Sequence, residues 1–151
     1  MSSHTHFLYF LYHIVFSTKE REPLITPEAR EPLYRYIGGI IRKRRGICIE
    51  IGGVMDHVHI LARFRPSISV SKMVQDIKGI SSKWAKGRLR TTKALYWQDG
   101  YGGFSVGSEV DDVIAYIRNQ EAHHRELSFK EELVDLLDRH GVEYDPRYLW
   151  D

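Results

Sequence analysis

Apolar positions fall along this chain in two rhythms. Over residues 7–16 (FLYFLYHIVF) they are almost continuous, which predicts a strand buried on both faces. Thr26-Pro27 then opens a helix, with threonine as N-cap and proline at the first helical position. Leu33, Tyr36, Ile37, Ile40 and Ile41 recur at helical spacing behind it. The helix is expected to end on Arg42-Lys43-Arg44-Arg45 and Gly46, cations at the negative end of its dipole followed by a left-handed cap. Ile47, Ile49 and Ile51 alternate as a strand that Gly52-Gly53 breaks or bulges. Extended character resumes over residues 54–64.

Ser67 or Ser69 can cap a second helix, whose inner stripe is Val70, Met73, Val74, Ile77, Ile80 and Trp84. A glycine-punctuated aromatic stretch follows over residues 96–107, with a strand expected around 104–106. A third helix is expected from near Ser108 to about Leu127, then a short one over about 129–140 and a tail. The order β-α-β-β-α-β-α predicts an α+β fold of the ferredoxin-like, split βαβ kind. In it an antiparallel sheet has helices on one face, the other face stays free to carry a site, and a C-terminal tyrosine-bearing helix is added. The expected organisation is one domain over 1–151, with a core at about 7–127 and a C-terminal helix and tail at 128–151. Many unrelated activities use this fold, so the fold does not decide the function.

Composition narrows the class. The chain has 151 residues, 42% of them hydrophobic and 28% charged, as a single globular domain does. Its apolar runs are too short for a transmembrane helix, and its first residues lack a secretory signal pattern. One cysteine, Cys48, excludes an intramolecular disulfide and fits a reducing cytoplasm. Set among isoleucines, it reads as a buried structural thiol. A net charge of +2 does not announce a nucleic-acid partner. Its distribution says more: a run of four cations at 42–45, a second basic stretch over 72–93 whose one acid is Asp76, and most compensating acids between 109 and 145. A basic half and an acidic tail suggest one polyanion-facing surface. The DNA-binding candidates are Arg42, Lys43, Arg44, Arg45, Lys78, Lys83, Lys86 and Arg88, each of which also reads as a solvated surface charge. Tyr101 and Phe104 are candidates for stacking bases.

Two features carry chemistry. In Asp56-His57-Val58-His59 on the third strand, His57 and His59 point to one face, about 7 Å apart at Cα. The pair reads either as two ligands of one metal ion or as two half-exposed histidines on a polar sheet face. On the third helix, Val110, Val113, Ile114 and Ile117 form an apolar stripe, flanked by a second stripe of Tyr116, Gln120 and His123. Tyr116 at that margin reads either as a boundary residue or as a nucleophile. Together the features supply a reaction. A phenol with a pKa near 10 is scarcely ionised at neutral pH, and a metal on a scissile phosphate offsets that scarcity. Attack by tyrosine exchanges one phosphodiester for another, so rejoining needs no nucleotide cofactor, and no phosphate-cradling GxxxxGK[ST] motif is present.

At these residues the sequence resembles a known family. His57-Val58-His59 fits the His-hydrophobic-His signature of the HUH endonucleases. The stretch YWQDGYGGFSV from Tyr96, and Val113-x-x-Tyr116-Ile117-x-Asn119-Gln120-x-x-His123-His124, resemble the single-tyrosine HUH transposases of insertion sequences, the IS200-like group. Tyr12-His13-Ile14-Val15-Phe16-Ser17-Thr18-Lys19 matches as well, so the resemblance covers about residues 7–127. It implies a transposase that cleaves and rejoins single-stranded DNA at hairpin-marked element ends through a covalent 5′-phosphotyrosine. Tyr116 would be its nucleophile, and His57, His59 and Gln120 its ligands for Mg²⁺ or Mn²⁺. It also implies a homodimer in which the tyrosine helix of one subunit can complete the other's site. A glutamine four residues after Tyr116 argues against the two-tyrosine branch. The region after Leu127 leaves open a domesticated relative, the REP-associated tyrosine transposases, or another HUH single-strand nuclease. His123 and His124 are candidates for assisting proton transfer, though a place on the helix surface suits both. Two imidazoles and an amide carry no charge. DNA phosphate is therefore expected to complete the ligand set, and metal binding to be weak without DNA.

Overall fold

The computed structural model describes residues 10–86, 88, 95–125 and 127–141. Residues 7–9 of the expected first strand and the tail beyond Gly141 lie outside them. β1 (Phe10–Ser17) leads through a 3₁₀ turn (Lys19–Arg21) to α1 (Pro27–Lys43), then β2 (Ile47–Gly53), β3 (His57–Phe64) and α2 (Val70–Ala85). β4 (Gly102–Ser105), α3 (Val110–Arg118), the short α4 (Gln120–His123) and α5 (Phe129–Arg139) follow. The strands form one sheet in the order β2-β3-β1-β4, and every pairing is antiparallel. This is the ferredoxin-like order, with β3 inserted between the two strands that α1 connects.

Period-two alternation divides the sheet into two faces. Ile14 and Phe16 of β1, with Val58, Ile60, Ala62 and Phe64 of β3, face Leu33, Ile37 and Ile41 of α1 and Met73 and Ile77 of α2. Each of the larger of these side chains stabilises the fold by roughly 1.5–3 kcal/mol when fully buried. Ser69 caps α2, its hydroxyl accepting from the Lys72 amide at 3.1 Å. At the end of α1, Arg45 and not Gly46 takes the left-handed conformation, with φ 62°. Gly46 is needed for closeness instead, since a Cβ there would lie 2.8 Å from Ile41 Cγ2 and 2.9 Å from the Arg63 carbonyl oxygen.

The opposite face is not left open. Val15 and Phe104 pack there against Phe129, Leu133, Leu136 and Leu137 of α5, with Tyr116 alongside. Helices therefore cover both faces, and the second cover lies on the face that carries His59. Gly52 and Gly53 neither break nor bulge β2; the register shifts earlier, between Cys48 and Glu50. Gly52 is where α3 lies directly on the strand, because a Cβ would come within 2.4 Å of the Ile117 carbonyl oxygen. The expected third helix is divided. Asn119, at φ −96° and ψ 22°, ends α3, and Gln120 begins α4. α5 starts with a reciprocal capping box between Ser128 and Glu131. Cys48 is half-buried, and burial pushes its thiol up to about 11, as an inert thiol requires.

Candidate active site

β3 presents His57 and His59 on the face turned away from α1 and α2, and both are fully buried. Each ring is held from behind. His57 Nδ1 lies 2.7 Å from Asp56 Oδ1, and His59 Nδ1 lies 2.8 Å from Nε2 of the buried His13 on β1. Both Nε2 atoms are thereby aimed at one point, as partners behind metal-ligating imidazoles do.

Glu132 of α5 occupies that point. Its Oε1 lies 3.1 Å from His57 Nε2, 3.0 Å from His59 Nε2 and 3.0 Å from His124 Nε2. Its Oε2 accepts a hydrogen bond from Gln120 Nε2 at 3.0 Å and another from the Tyr116 hydroxyl. Gln120 Oε1 in turn lies 3.0 Å from His57 Nε2. The Tyr116 ring stands edge-on to His59, with centroids 5.6 Å apart. Four elements, β3, α3, α4 and α5, and the turn after α4 thus meet on one buried carboxylate.

An anion among imidazoles sets the protonation states. Burial disfavours a charged His57, but hydrogen bonds to Asp56 and Glu132 outweigh it and push the ring up to about 9. At His59 burial prevails over Glu132 and pulls the ring down to about 4. His13 falls to about 3, through burial and then through the neighbouring His59. Burial works to raise Glu132, yet hydrogen bonds from His124, His57 and His59 hold its carboxyl well below the usual range. Tyr116 is pushed well above an ordinary phenol, by burial first and then by its bond to the Glu132 carboxylate.

The donor set fits a divalent cation. The ligating atoms of His57, His124 and Glu132 all lie within 4.8 Å of one another. Ligands at right angles on an ion, each about 2.1 Å from it, stand about 3 Å apart, the spacing found between Glu132 Oε1 and the three imidazole nitrogens. This overturns the expectation that the protein supplies no carboxylate to the centre. His124 also leaves the helix surface, where it was expected, and joins the cluster. Glu132 did leave a signal in the sequence. Phe129, Glu132, Leu133, Leu136 and Leu137 are the buried residues of α5, so an acid sits within an apolar helical stripe.

The eight basic candidates stay apart from this cluster, on and just beyond α1 and α2 in the other layer. Two of them have other tasks: Arg44 pairs with Asp76 at 2.8 Å, and Lys78 Nζ donates to the Gln98 and Gly100 carbonyls at 2.7 and 2.6 Å. Phe104 is buried and stacked on His140, with centroids 4.4 Å apart, which removes it as a base-stacking platform. Tyr101 remains exposed.

The sequence model of the family described as "Transposase IS200 like" matches residues 6–120 of this chain. The chain belongs to that family. The transposases for insertion sequence element IS200 from Salmonella typhimurium and Salmonella typhi are each 31% identical to it over 118 residues, 72% of this chain and 75% of theirs. Two solved structures share the fold. A putative transposase from Deinococcus radiodurans superposes with a TM-score of 0.58 at 20% identity, over 74% of this chain and 91% of that one. A REP-associated tyrosine transposase bound to a REP hairpin superposes at 0.60 and 14% identity, over 76% of this chain and 68% of that one. Membership makes this IS200-like chain a transposase, an enzyme that cuts DNA. The family match ends at Gln120, so His124 and Glu132 lie beyond it. Among the described residues, no helix is long and apolar enough to cross a membrane.

Proposed function

We propose that this IS200-like transposase cleaves and rejoins single-stranded DNA at hairpin-marked element ends through a covalent 5′-phosphotyrosine on Tyr116. The observation that carries the reading is the meeting of the Tyr116 hydroxyl with His57, His59 and Gln120 on one buried carboxylate. His57, His59 and Gln120, joined by His124 and Glu132, would hold Mg²⁺ or Mn²⁺. Such an ion supplies positive charge that polarises the oxygens of the scissile phosphate. Imidazoles and an amide alone would suit Zn²⁺, Co²⁺ or Ni²⁺ as well, and the added carboxylate oxygen moves the set toward harder ions.

Tyr116 Oη attacks phosphorus, the bond from phosphorus to the 3′ oxygen breaks, and the phosphodiester energy is kept in the phosphotyrosine. A 3′ hydroxyl can then reverse the step and join a different end without nucleotide hydrolysis. Burial of His57, His59 and Glu132 beside the half-buried Tyr116 limits the water that can compete for the intermediate. Arg42, Lys43, Arg45, Lys83, Lys86 and Arg88 would meet hairpin phosphates on the helical layer, contacts that position DNA without reading its sequence. The hairpin bound to the REP-associated relative supports that partner. The working form is a homodimer.

The test is incubation with labelled hairpin-bearing single strands and Mn²⁺. An SDS-resistant protein–DNA adduct should form, vanish in Tyr116→Phe, and vanish in His57→Ala while hairpin retention persists. Cleavage by Tyr116→Phe would mean an activated-water hydrolase, and no adduct from the unaltered protein would mean a binding module.

A further inference from the structure

Strand transfer by Tyr116 leaves one proton to be placed. A phenol with an ordinary pKa near 10 is scarcely ionised at neutral pH, so the hydroxyl must lose its proton during attack. That hydroxyl already donates to Glu132 Oε2. The oxygen is fixed in place: Gln120 Nε2 donates to it at 3.0 Å, Oε1 of the same carboxylate is held by three imidazoles, and Glu132 is fully buried. Its helix is pinned by the capping box of Ser128 and Glu131 and by Phe129, Leu133, Leu136 and Leu137 in the second core.

Resting on the strand-transfer reading above, we infer that Glu132 is the general base of the reaction, its Oε2 taking the Tyr116 proton as the bond from Oη to phosphorus forms. The electron pair of the breaking bond leaves with the 3′ oxygen, which takes a proton from solvent. In rejoining, an incoming 3′ hydroxyl gives up its proton to solvent and attacks phosphorus, and the departing Tyr116 recovers its proton from Glu132. A carboxylate is far less basic than a resting tyrosinate. The phenol becomes steeply more acidic as Oη bonds to phosphorus, however, so transfer runs downhill late in the step. The two oxygens divide the work, Oε1 facing the metal-ligating imidazoles and Oε2 facing the nucleophile.

Glu132→Gln keeps the shape of the side chain and an oxygen that can accept from the phenol, and removes the basicity. Single-turnover adduct formation is measured at saturating Mn²⁺ on a labelled hairpin-bearing strand, with either tyrosine or a more acidic ring-fluorinated tyrosine at position 116. Glu132→Gln should slow adduct formation by about 10²–10⁴-fold. Fluorination should restore about tenfold or more in Glu132→Gln and change the unaltered protein by less than about threefold. A wild-type rate in Glu132→Gln, or a loss that fluorination does not relieve, overturns the inference. Melting temperature, hairpin retention and Mn²⁺ affinity by electron paramagnetic resonance show that the variant is folded and loaded. Should it fail to fold, the unaltered protein is compared in H₂O and D₂O: slower adduct formation in D₂O is expected, and equal rates overturn the assignment. Tyr116→Phe separates the two levels. If it still forms an adduct, the strand-transfer reading falls; if it forms none while Glu132→Gln runs at full speed, only the general base falls.

Discussion

Burial works against charge on His57, His59 and His13 alike, hydrogen bonds prevail over it only at His57, and pH should reveal the difference. His57 titrates near 9 in the fold and near 6.5 when unfolded. Its contribution is therefore complete below about 6.5 and is lost as pH rises through about 9. His59 and His13 are held neutral, titrating near 4 and 3. The unfolded chain takes up those protons first, so stability falls as pH drops from about 6.5 toward those values. Glu132, its carboxyl depressed, stabilises above its unfolded value and is lost only in stronger acid. Chelator-treated protein should therefore melt highest near pH 6.5, with the melting temperature falling on both sides. His57→Gln should flatten the limb between about 6.5 and 9, and scanning calorimetry that finds that limb unchanged refutes the charge assignment. At this scale the sequence disclosed His57 and His59, because alternation on a strand places them together, and Tyr116 and Gln120, because a spacing of four puts them on one stripe of the helix it predicts. Glu132 escaped notice because its partners are distant in sequence: the nearest cluster member, His124, is eight residues away and Tyr116 sixteen. Only its place within an apolar stripe marked it.

The elements depend on one another at particular atoms, and Gly52 is the sharpest case. Alanine there would set its Cβ about 2.4 Å from the Ile117 carbonyl oxygen, a backbone atom that cannot swing aside. α3 must then lift from β2, and Tyr116 moves with it. Gly52→Ala should destabilise by about 1–3 kcal/mol, as overpacking does, and should reduce adduct formation even at temperatures where the variant is fully folded. Urea midpoints paired with single-turnover rates decide this; a variant with wild-type values on both would mean that α3 has no fixed seat on the strand. Hydrophobic rhythm revealed the strands and α1, α2 and α5 within a few residues of their ends. It could not reveal the interruption at Asn119, because the spacing of Tyr116, Gln120 and His123 fits one continuous helix. Nor could it show that glycines 52 and 53 permit close approach, since that depends on the element packed against them.

For the molecule as a whole, the sheet separates the basic helical layer from the histidine cluster. One face carries the larger core beneath α1 and α2, with the basic residues on that outer layer. The other face carries the histidines beneath α3, α4 and α5. The imidazoles, the phenol, the amide and the carboxylate of the cluster meet within one chain, so on the strand-transfer reading Tyr116 is expected to serve the histidines of its own chain. The resemblance to single-tyrosine transposases had left room for a tyrosine supplied by a partner subunit. A mixing experiment separates the two arrangements. Tyr116→Phe and His57→Ala, each expected to form no adduct alone, are combined after incubation long enough for subunits to exchange. With sites completed within one chain, the mixture stays inactive, because neither chain holds both the nucleophile and the full set of imidazoles. If partners shared sites, the Tyr116 of a His57→Ala chain would serve the intact histidines of a Tyr116→Phe chain, and adduct would appear on the His57→Ala chain alone. A size tag on one chain tells which polypeptide carries the DNA, and labelled strand on the His57→Ala chain would require α3 to leave its seat on Gly52 and reach across the dimer.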